Sequence, residues 1–429
     1  MSKIRILSLL LLFMTFYTGC SQAFNEGNEK RSNPGDDAEL DLPSGFQAVV
    51  VAEDLGNGRH LTVRDNGDVY LQLRQSHDKG STVAMRDTDG DGSADEIRYF
   101  ADLPGTGIGI HDGYLYTSTT TTIQRFQFEG DQLLPDQNPE TIIKGFPEQN
   151  QHAAKPFTFD GNGNIYVNVG GPSNACMEQT RTQGSPGQDP CPQLERHAGI
   201  WRFGDTRSGQ TQLDDGYHYA TGIRHAVALR WNPVADKLYA VQHGRDQLSQ
   251  FFPDMYSTED NAKLPAEEFL LVEDGSNFGW PYCYYNQIKE KKLLAPEYGG
   301  DRKKVGRCAD MDDPIMGFPG HYAPNDVLFY TGDQFPEKYR NGAFIAFHGS
   351  WNRAPHEQEG YNVVFVPFDG EKPSGDWEVF ADGFAGLDEV ESPGDAKYRP
   401  TGVAVGPDGS LYVSDSNTGK IWKITYTGE

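Results

Sequence analysis

The segment FTFDGNGNIYVNV, residues 157–169, contains the pattern on which the architecture of this chain rests. Apolar and polar residues alternate in its first and last parts, which is typical of β-strands with one buried face. Its centre, rich in Gly, Asn and Asp, permits the positive φ angles of a tight hairpin turn. The segment therefore predicts a β-hairpin with an aromatic residue, Tyr166, in its second strand.

The same phrase recurs along the chain and indicates a repeated unit. Its clearest copies, together with a looser one that has a longer turn (326–347), cover residues 61–72, 108–118, 157–169, 229–241, 326–347 and 403–415. The first three central aromatic residues, Tyr70, Tyr116 and Tyr166, lie 46 and 50 residues apart, which is the length of one four-stranded blade. Six copies predict an all-β fold, a six-bladed β-propeller with inserted loops. FQAVVVA (46–52) is expected to close the ring by joining the last blade.

The composition supports a strand-rich protein and argues against two classes of partner. The 429 residues include 49 Gly, 26 Pro and 12% aromatic residues, which suits many short strands joined by tight turns. A net charge of −25 repels phosphate backbones and anionic lipid headgroups. We therefore expect no nucleic-acid partner, and contact with a membrane only through a lipid anchor.

The N-terminus resembles a bacterial lipoprotein signal. Two basic residues precede an apolar run over 6–17, and small residues follow before Cys20. This order is typical of a secretory signal, and the run is too short for a comfortable membrane span. The expected organisation is a signal peptide, a lipidated Cys20 with a flexible tether, and a catalytic propeller, over residues 1–19, 20–40 and 41–429. The protein would then be exported and anchored to the bacterial cell envelope, in the periplasm or at the cell surface. An ordinary signal peptide with an incidental Cys20 is the alternative.

Four cysteines remain when Cys20 is set aside, namely Cys176, Cys191, Cys283 and Cys308. An even number of cysteines in an exported protein implies disulfides. Three pairings are possible, and proximity in the sequence favours Cys176–Cys191 and Cys283–Cys308. A metal site is the less favoured alternative, because the sequence contains no CxxC pair.

An acidic segment, DTDGDGSADE at 87–96, carries oxygen ligands at alternate positions. With Gly92 at the bend, it resembles the front half of an EF-hand calcium loop, although its twelfth position is Arg98 instead of the usual Glu. The favoured interpretation is a structural Ca²⁺ held by four carboxylates, those of Asp87, Asp89, Asp91 and Asp95. A solvated acidic turn without a metal is the alternative.

One histidine and several cations stand at the ends of the blade segments. His152 ends a polar loop directly before the third hairpin, which makes it a candidate general base. The corresponding residues at the mouths of the fourth and last blades are Arg224, His225, Gly244, Arg245, Lys397 and Arg399. Loops of this kind meet at the central channel of a propeller, where the cations would hold a polyanionic ligand. Solvated surface charges are the alternative.

Six motifs follow one another between residues 42 and 427: QHAAKPFTFDGNGNIYVNVG, YATGIRHAVALRWNP, LYAVQHGRD, GSNFGWPYCYY, FHGSWNRAP and YRPTGVAVGPDGSLYVSDSNTGKIWKI. Their succession resembles the soluble sugar dehydrogenases that depend on pyrroloquinoline quinone (PQQ), and more closely their glucose/sorbosone dehydrogenase branch. Members of that family are six-bladed propellers that bind PQQ and Ca²⁺ at the channel mouth and oxidise aldoses to lactones.

The resemblance implies roles for residues of this chain. His152 matches the catalytic base of the family. Arg224 matches the arginine beside the quinone, and His225 stands where the family commonly has Asn. Gly244 and Arg245 match the pair whose backbone carbonyls bind the calcium beside the quinone. The remaining cofactor-binding positions are Asn352, Arg353, Lys397 and Arg399. Some members of the family carry Lys at the position of Asn352.

The implied activity is oxidation of an aldose, or a related sugar or polyol, at the anomeric carbon. Neutral His152 would take the hydroxyl proton while hydride passes to PQQ, and Ca²⁺ and Arg224 would polarise the accepting carbonyl. Electrons would then pass to an acceptor such as a cytochrome or a quinone. A lactonase-type propeller and a non-catalytic surface propeller are the alternatives, and the first would need a carboxylate-rich central metal site.

Overall fold

The computed structural model describes residues 40–428 of the chain. The predicted signal peptide, Cys20 and nearly all of the predicted tether lie outside the described residues. Between residues 40 and 428, no helix has the length and apolar character needed to cross a lipid bilayer.

Six sheets of four or five strands form the blades, which confirms the predicted all-β, six-bladed propeller. The first strand of the chain, which belongs to the last blade, is β1 (Phe46–Ala52). Blade 1 consists of β2 (Gly58–Val63), β3 (Val69–His77), β4 (Gly80–Arg86) and β5 (Glu96–Phe100). Blade 2 consists of β6 (Ile108–His111), β7 (Tyr114–Ser118), β8 (Ile123–Gln127) and β9 (Glu140–Lys144).

The third and fourth blades carry the longer connections. Blade 3 consists of β10 (Phe157–Phe159), β11 (Asn164–Val169), β12 (Gly199–Gly204) and β14 (Tyr217–Thr221). The short strand β13 (Gln210–Thr211), between β12 and β14, pairs with β9 of blade 2. Blade 4 opens with β15 (Ala226–Asn232) and β16 (Lys237–Gln242). Two short helices, α1 (Leu248–Phe251) and α2 (Thr258–Lys263), then precede its third strand, β17 (Glu267–Val272). A separate hairpin of β18 (Cys283–Asn286) and β19 (Lys291–Leu294) precedes its fourth strand, β20 (Met316–Phe318).

The last two blades bring the chain back to its start. Blade 5 consists of β21 (Pro324–Phe329), β22 (Ala343–Phe347), β23 (Asn362–Val366) and, after the small hairpin β24 (Phe368–Asp369) and β25 (Lys372–Pro373), β26 (Glu378–Ala381). Blade 6 consists of β27 (Pro400–Val405), β28 (Leu411–Asp415), β29 (Ile421–Tyr426) and β1. Short 3₁₀ helices occur at Pro192–Glu195, Pro296–Tyr298, Gly306–Asp310 and Glu337–Tyr339.

The ring closes as predicted. The first strands of the blades contact one another in the order β2, β6, β10, β15, β21 and β27, and β27 contacts β2. Strand β1 pairs antiparallel with β29, from Phe46 opposite Tyr426 to Ala52 opposite Ile421. The N-terminal strand thus completes the sheet begun by the last three strands, which ties the two ends of the propeller together.

The hairpin turns explain why the repeated phrase folds as it does. In blade 3 the Asp160 carboxylate accepts hydrogen bonds from the backbone N–H groups of Asn162 (2.7 Å) and Asn164 (3.1 Å). Gly163 adopts φ = +93°, a conformation in which a residue with a Cβ is strained. These features reverse the chain between β10 and β11, and they place Thr158 opposite Tyr166.

Aromatic side chains fill the spaces between blades. The ring of Phe46, only 1% exposed, meets the rings of Phe335 and Phe380 edge-on at centroid distances of 4.8 Å and 5.0 Å. Burial of one such side chain contributes about 2 kcal/mol to stability. The closing strand is therefore held by packing between blades 5 and 6 as well as by its ladder of hydrogen bonds.

Both predicted disulfides are confirmed. Cys176 and Cys191 are joined in the insertion between β11 and β12, and Cys283 and Cys308 in the insertion between β17 and β20. The two insertions touch, since the N–H of Gly187 donates to the backbone carbonyl of Glu297 at 3.0 Å.

Candidate active site

A cleft of about 430 Å³ opens at one face of the ring, where the first strands of the blades begin and the second strands end. His152, Arg224 and Arg399 precede the first strands of their blades, and His243 and His348 directly follow second strands. All five line the cleft. Its volume lies in the range of small-molecule sites, roughly 300–1,000 Å³.

His152 is held with one ring nitrogen committed to the protein. Its Nδ1 lies 2.5 Å from the carbonyl oxygen of Gly171. Because a carbonyl can only accept, Nδ1 carries the proton and Nε2 of the neutral ring is left as an acceptor. Burial, and then the charge of Arg224, lower the pKa of His152 to about 3, so the ring is neutral at physiological pH.

A second histidine stacks on the first. The rings of His152 and His225 lie 4.6 Å apart and 21° from parallel. Gly170 makes room for them, since a Cβ at that position would lie 2.7 Å from the Cβ of His152 and 2.8 Å from Nδ1 of His225. Burial, followed by the neighbouring His152, lowers the pKa of His225 well below its usual value. Both rings are therefore neutral and closely packed.

Arg224 is fixed at the floor of the cleft by an ion pair. Its guanidinium lies 2.8 Å from the Asp246 carboxylate and donates to the backbone carbonyl (3.1 Å) and side-chain oxygen (3.0 Å) of Asn174. Arg181 approaches the same carboxylate at 3.4 Å. Burial opposes ionisation of Asp246, but Arg224 and the other nearby cations prevail and lower its pKa. Two guanidinium groups therefore share one carboxylate, which leaves a local excess of positive charge.

Glu267 is the second carboxyl group in the cleft lining. Its Oε2 accepts a hydrogen bond from the N–H of Gly244 at 2.9 Å, and burial raises the pKa of Glu267 to about 8. Among the described residues that line the cleft, Asp246 and Glu267 alone carry carboxyl groups. The carboxylate-rich metal site that a lactonase-type propeller needs is therefore not found among these residues.

The wall of the cleft beside blades 5 and 6 is cationic. Arg399 donates to the backbone carbonyls of His348 (3.0 Å) and Gly349 (2.7 Å). Burial, and then the charges of Arg399 and Arg59, lower the pKa of His348 well below its usual value. Arg59, at the start of blade 1, completes this wall.

The structure brings together only part of the predicted set. His152, Arg224, His225, Gly244 and Arg399 line the cleft. The predicted residues that do not line it are Arg245, Asn352, Arg353 and Lys397.

Two of these residues are committed to other partners. Arg353 donates to the carbonyl of Ala262 at 2.7 Å and pairs with Glu359, and it is not part of the cleft lining. The guanidinium of Arg245 is buried against Glu297, which leaves only the backbone of Arg245 for the predicted carbonyl role.

The other two, Asn352 and Lys397, also lie outside the cleft lining. Asn352 is 5% exposed, and its Nδ2 has no hydrogen-bond partner within the described part of the chain. The ammonium of Lys397 lies 5.1 Å from the ring centroid of Tyr398, outside the cleft lining. Cofactor binding by these two residues therefore stays a prediction.

Several cleft residues were missing from the sequence-based set. They are Arg59, Arg181, His243, Asp246, Glu267, His321, His348 and Trp351. A positional signal could have found three of them, because Arg59 lies at the start of a first strand, and His243 and His348 directly follow second strands. Arg181 comes from an irregular insertion, where no strand pattern predicts its position.

The acidic turn between β4 and β5 gathers three of the four predicted carboxylates. Asp87, Asp89 and Asp95 present oxygen atoms within 4.8 Å of one another, and Asp91 lies outside that group. The Asp91 carboxylate accepts a hydrogen bond from the N–H of Ser93 at 2.8 Å. Gly92 takes φ = +96°, as the predicted bend requires.

Comparison with known sequences identifies relatives over part of their length. The chain is 28% identical over 209 residues to an uncharacterised protein of Borreliella burgdorferi, a match that spans 48% of each chain. It is 26% identical over 246 residues to the pyrroloquinoline quinone-dependent pyranose dehydrogenase of Coprinopsis cinerea, which spans 52% of this chain and 29% of the relative. The chain thus matches about half or less of the length of these curated relatives.

Comparison with solved structures identifies the same fold. The holo PQQ domain of the Coprinopsis cinerea pyranose dehydrogenase matches with a TM-score of 0.71 at 18% identity, over 90% of this chain and 97% of that one. The calcium structure of a Trichoderma reesei family AA12 enzyme matches with a TM-score of 0.72 at 16% identity, over 90% and 97% of the two chains.

These findings confirm the predicted resemblance to PQQ-dependent sugar dehydrogenases as a family relationship. The TrAA12-like family model matches residues 40–427, which is most of the chain. The protein therefore belongs to the TrAA12-like family.

Proposed function

We propose that this protein is an oxidoreductase that uses PQQ to oxidise an aldose, or a related sugar or polyol, at the anomeric carbon to the lactone. The observation that carries the proposal is the neutral His152 on the wall of a cleft lined by four arginines. Family membership and the named activity of the Coprinopsis relative support it.

The residues of the cleft fit a polyanionic quinone. PQQ carries three carboxylates, and the guanidinium groups available to them in the cleft lining are those of Arg59, Arg181, Arg224 and Arg399. In a protein of net charge −25 such a cluster is a local exception, and guanidinium groups bind carboxylates by paired, charge-assisted hydrogen bonds. The buried Nδ1 of His225 has no partner within the described chain, so a ligand group can satisfy it. When bound, PQQ supplies the acceptor for the hydride.

The chain itself supplies the base and the charge. Nε2 of His152 accepts the proton of the substrate hydroxyl, because Nδ1 is already held by Gly171. Arg224, fixed by Asp246 and Asn174, keeps its positive charge near this base, where it stabilises negative charge that develops during the reaction. The neighbouring His225 limits the motion of the His152 ring through the 4.6 Å stack.

We propose calcium at two positions. The first lies at the backbone carbonyls of Gly244 and Arg245, and it is supported by the position of Gly244 in the cleft lining. The second lies in the acidic turn, where three carboxylates converge. Oxygen ligands of this kind suit Ca²⁺.

The rim of the cleft suits a sugar ring. Trp351 lines the cleft and remains 50% exposed, which is unusual for a large aromatic side chain. An exposed indole offers an apolar surface with a polar edge, and the CH-rich face of a pyranose can pack on it. The substrate is therefore proposed to lie between this rim and His152.

A titration with PQQ and Ca²⁺ tests the function. The purified protein should bind PQQ, gain thermal stability, and then reduce a dye when aldoses are added. His152→Ala should bind PQQ but lose at least about 100-fold in turnover. A protein that binds no PQQ, or a His152→Ala variant with full activity, would contradict the proposal.

The cellular setting is a separate proposal that rests on the sequence. We propose export, acylation at Cys20 and attachment to the cell envelope, with electrons passed to a cytochrome or a quinone. Radiolabelled palmitate should be incorporated into the wild type and not into Cys20→Ala, and incorporation into both would contradict the anchor.

A further inference from the structure

A second pocket, here called the annex, opens beside the cleft and has a volume of about 190 Å³. Three arginines line it, Arg59, Arg74 and Arg399, and Arg59 and Arg399 also line the cleft. The remaining wall includes His348, Asn57 and Asn417. This volume is enough for a carboxylate and the carbons beside it.

The described lining of the annex contains three guanidinium groups and no carboxylate. Asp415 lies beside the annex, and its oxygens accept hydrogen bonds from the backbone N–H groups of Arg399 (2.6 Å) and Thr418 (2.6 Å). The negative charge of Asp415 offsets one of the three arginine charges, and its carboxylate oxygens are occupied by backbone N–H groups. Within residues 40–428, Arg74 forms no ion pair with a carboxylate.

The neighbouring titratable groups respond to this excess of positive charge. Burial, followed by the charge of Arg74, lowers the pKa of Arg59 to about 10. Burial lowers the pKa of His348, and Arg399, Arg59 and Arg74 all act in the same direction. His348 is therefore neutral and adds no charge, so the excess of positive charge comes from the three arginines, of which Asp415 offsets one.

The polar groups around the arginines are largely occupied. The Nδ2 atoms of Asn57 and Asn417 donate to backbone carbonyls, including those of Ser416 (3.3 Å) and Ala396 (3.1 Å). His348 Nε2 and the Ser416 hydroxyl bond each other at 2.6 Å. What the annex offers to a ligand is thus chiefly guanidinium N–H groups, the donors that bind carboxylates in a bidentate manner.

We propose that the annex is an anionic subsite that receives a carboxylate of the sugar substrate, so that the substrate class is an acidic sugar such as a uronate. This inference rests on the proposed function, because it places the anomeric end of the same sugar in the cleft. Arg74 is the residue that distinguishes the two pockets, since it lines the annex and not the cleft. Its side chain is exposed, so a carboxylate can reach it from solvent.

The test compares matched neutral and acidic sugars on the full chain. With PQQ and Ca²⁺, kcat/KM is measured for glucose against glucuronate and for galactose against galacturonate. For at least one pair the acid should be preferred by about tenfold or more. Arg74→Ala should abolish that preference through KM, leave the neutral sugar unchanged, and be partly rescued by Arg74→Lys. Arg98→Ala, which removes an exposed arginine of the same blade, is the matched control.

Two binding measurements separate this inference from the proposed function. The affinity for PQQ, followed by fluorescence, should be equal in the wild type and Arg74→Ala; a parallel loss would assign the annex to a cofactor carboxylate and overturn the inference. Calorimetry with glucuronate on the quinone-free protein should show binding that Arg74→Ala weakens. If an active enzyme used neutral and acidic sugars equally well, only the anionic subsite would be overturned. If PQQ did not bind, the proposed function would be overturned, and the calorimetry with glucuronate would show whether the annex binds a carboxylate.

Discussion

The guanidinium of Arg224 and the carboxylate of Asp246 lie 2.8 Å apart at the floor of the cleft, in a pair whose side chains are 4% and 11% exposed. Asp246 follows the second strand of blade 4, and Arg224 precedes the first. The pair therefore joins the start of the first strand to the segment that follows the second, and the charges of both residues act on the pKa of His152.

Removal of one partner of this pair should destabilise the fold. Asp246→Ala leaves the buried guanidinium of Arg224 without its counter-charge, and breaking a buried pair in this way costs about 3 kcal/mol. Urea denaturation followed by fluorescence measures the loss. Glu378→Ala removes the acid of an exposed pair, 59% and 48% exposed, and should change the stability by less than about 1 kcal/mol. Equal effects of the two substitutions would argue against a structural role of the Arg224–Asp246 pair.

The pH dependence of turnover should show no loss from protonation of His152 across the physiological range. The pKa of His152 is lowered to about 3, chiefly by burial and then by Arg224, so the free base is present above roughly pH 4. The acidic limb of kcat/KM due to this residue should therefore appear below pH 4. Replacement of Arg224 by Gln removes one cause of the low pKa and should move that limb to higher pH. An acidic limb at the ordinary histidine pKa of about 6.5 in the wild type would contradict the geometry.

The fold is predicted by the sequence because its signal is periodic and local. Each copy of the hairpin motif carries its own turn, as Asp160 and Gly163 show, and six such units bury their apolar faces by packing in a ring. The closing strand was predictable as well, since the short apolar segment that begins at Phe46 precedes the first hairpin and is free to join the last blade. The two disulfides followed from proximity because each closes a loop within one insertion.

The site was predictable only where residues stand at fixed positions relative to strands. His152, Arg224 and Arg399 precede first strands, and the ring brings those positions together. Arg353 stands in a loop whose path depends on tertiary contacts, and there the guanidinium meets Glu359 and not the cleft. Arg181 reaches Asp246 from a disulfide-closed insertion, so no pattern in the sequence could place it.

Histidine burial should make the protein sensitive to acid. A histidine whose folded pKa is about 3 and whose unfolded pKa is about 6.5 binds a proton only when the chain unfolds, within the interval between those values. The stability that neutral His152 contributes is therefore complete above about pH 6.5 and falls as the pH falls toward 3. Between pH 7 and 5 the wild type should lose about 1 to 2 kcal/mol more than His152→Gln, as measured by urea denaturation at both values. The same loss in both proteins would show that His152 protonates equally in the folded and unfolded states.

The disulfide of the blade 3 insertion should support the site more than the ring. The loop between Cys176 and Cys191, with a sequence separation of 15, carries Arg181 to the cleft, and a cross-link over such a loop contributes about 3 kcal/mol. The double variant Cys176→Ser/Cys191→Ser should raise the Kd for PQQ severalfold, with a moderate loss of thermal stability. The matched variant Cys283→Ser/Cys308→Ser should lower stability and affect PQQ affinity less. A larger effect on PQQ affinity from the second pair would contradict the proposal that Arg181 contributes to PQQ binding.

Calcium should stabilise blade 1 through the acidic turn. Asp87, Asp89 and Asp95 converge within 4.8 Å, and their mutual repulsion without a metal is relieved by a divalent cation. Addition of Ca²⁺ to chelator-treated protein should raise Tm by several degrees, and Asp89→Asn should remove most of that shift. Asp91→Asn is the matched control, because it makes the same change of charge two residues away on a carboxylate that lies outside the group. The measurement is made on quinone-free protein, because the other calcium is proposed beside the cofactor at Gly244. If Ca²⁺ raised the Tm of Asp89→Asn as much as that of the wild type, the stabilising ion would lie at a position other than the acidic turn.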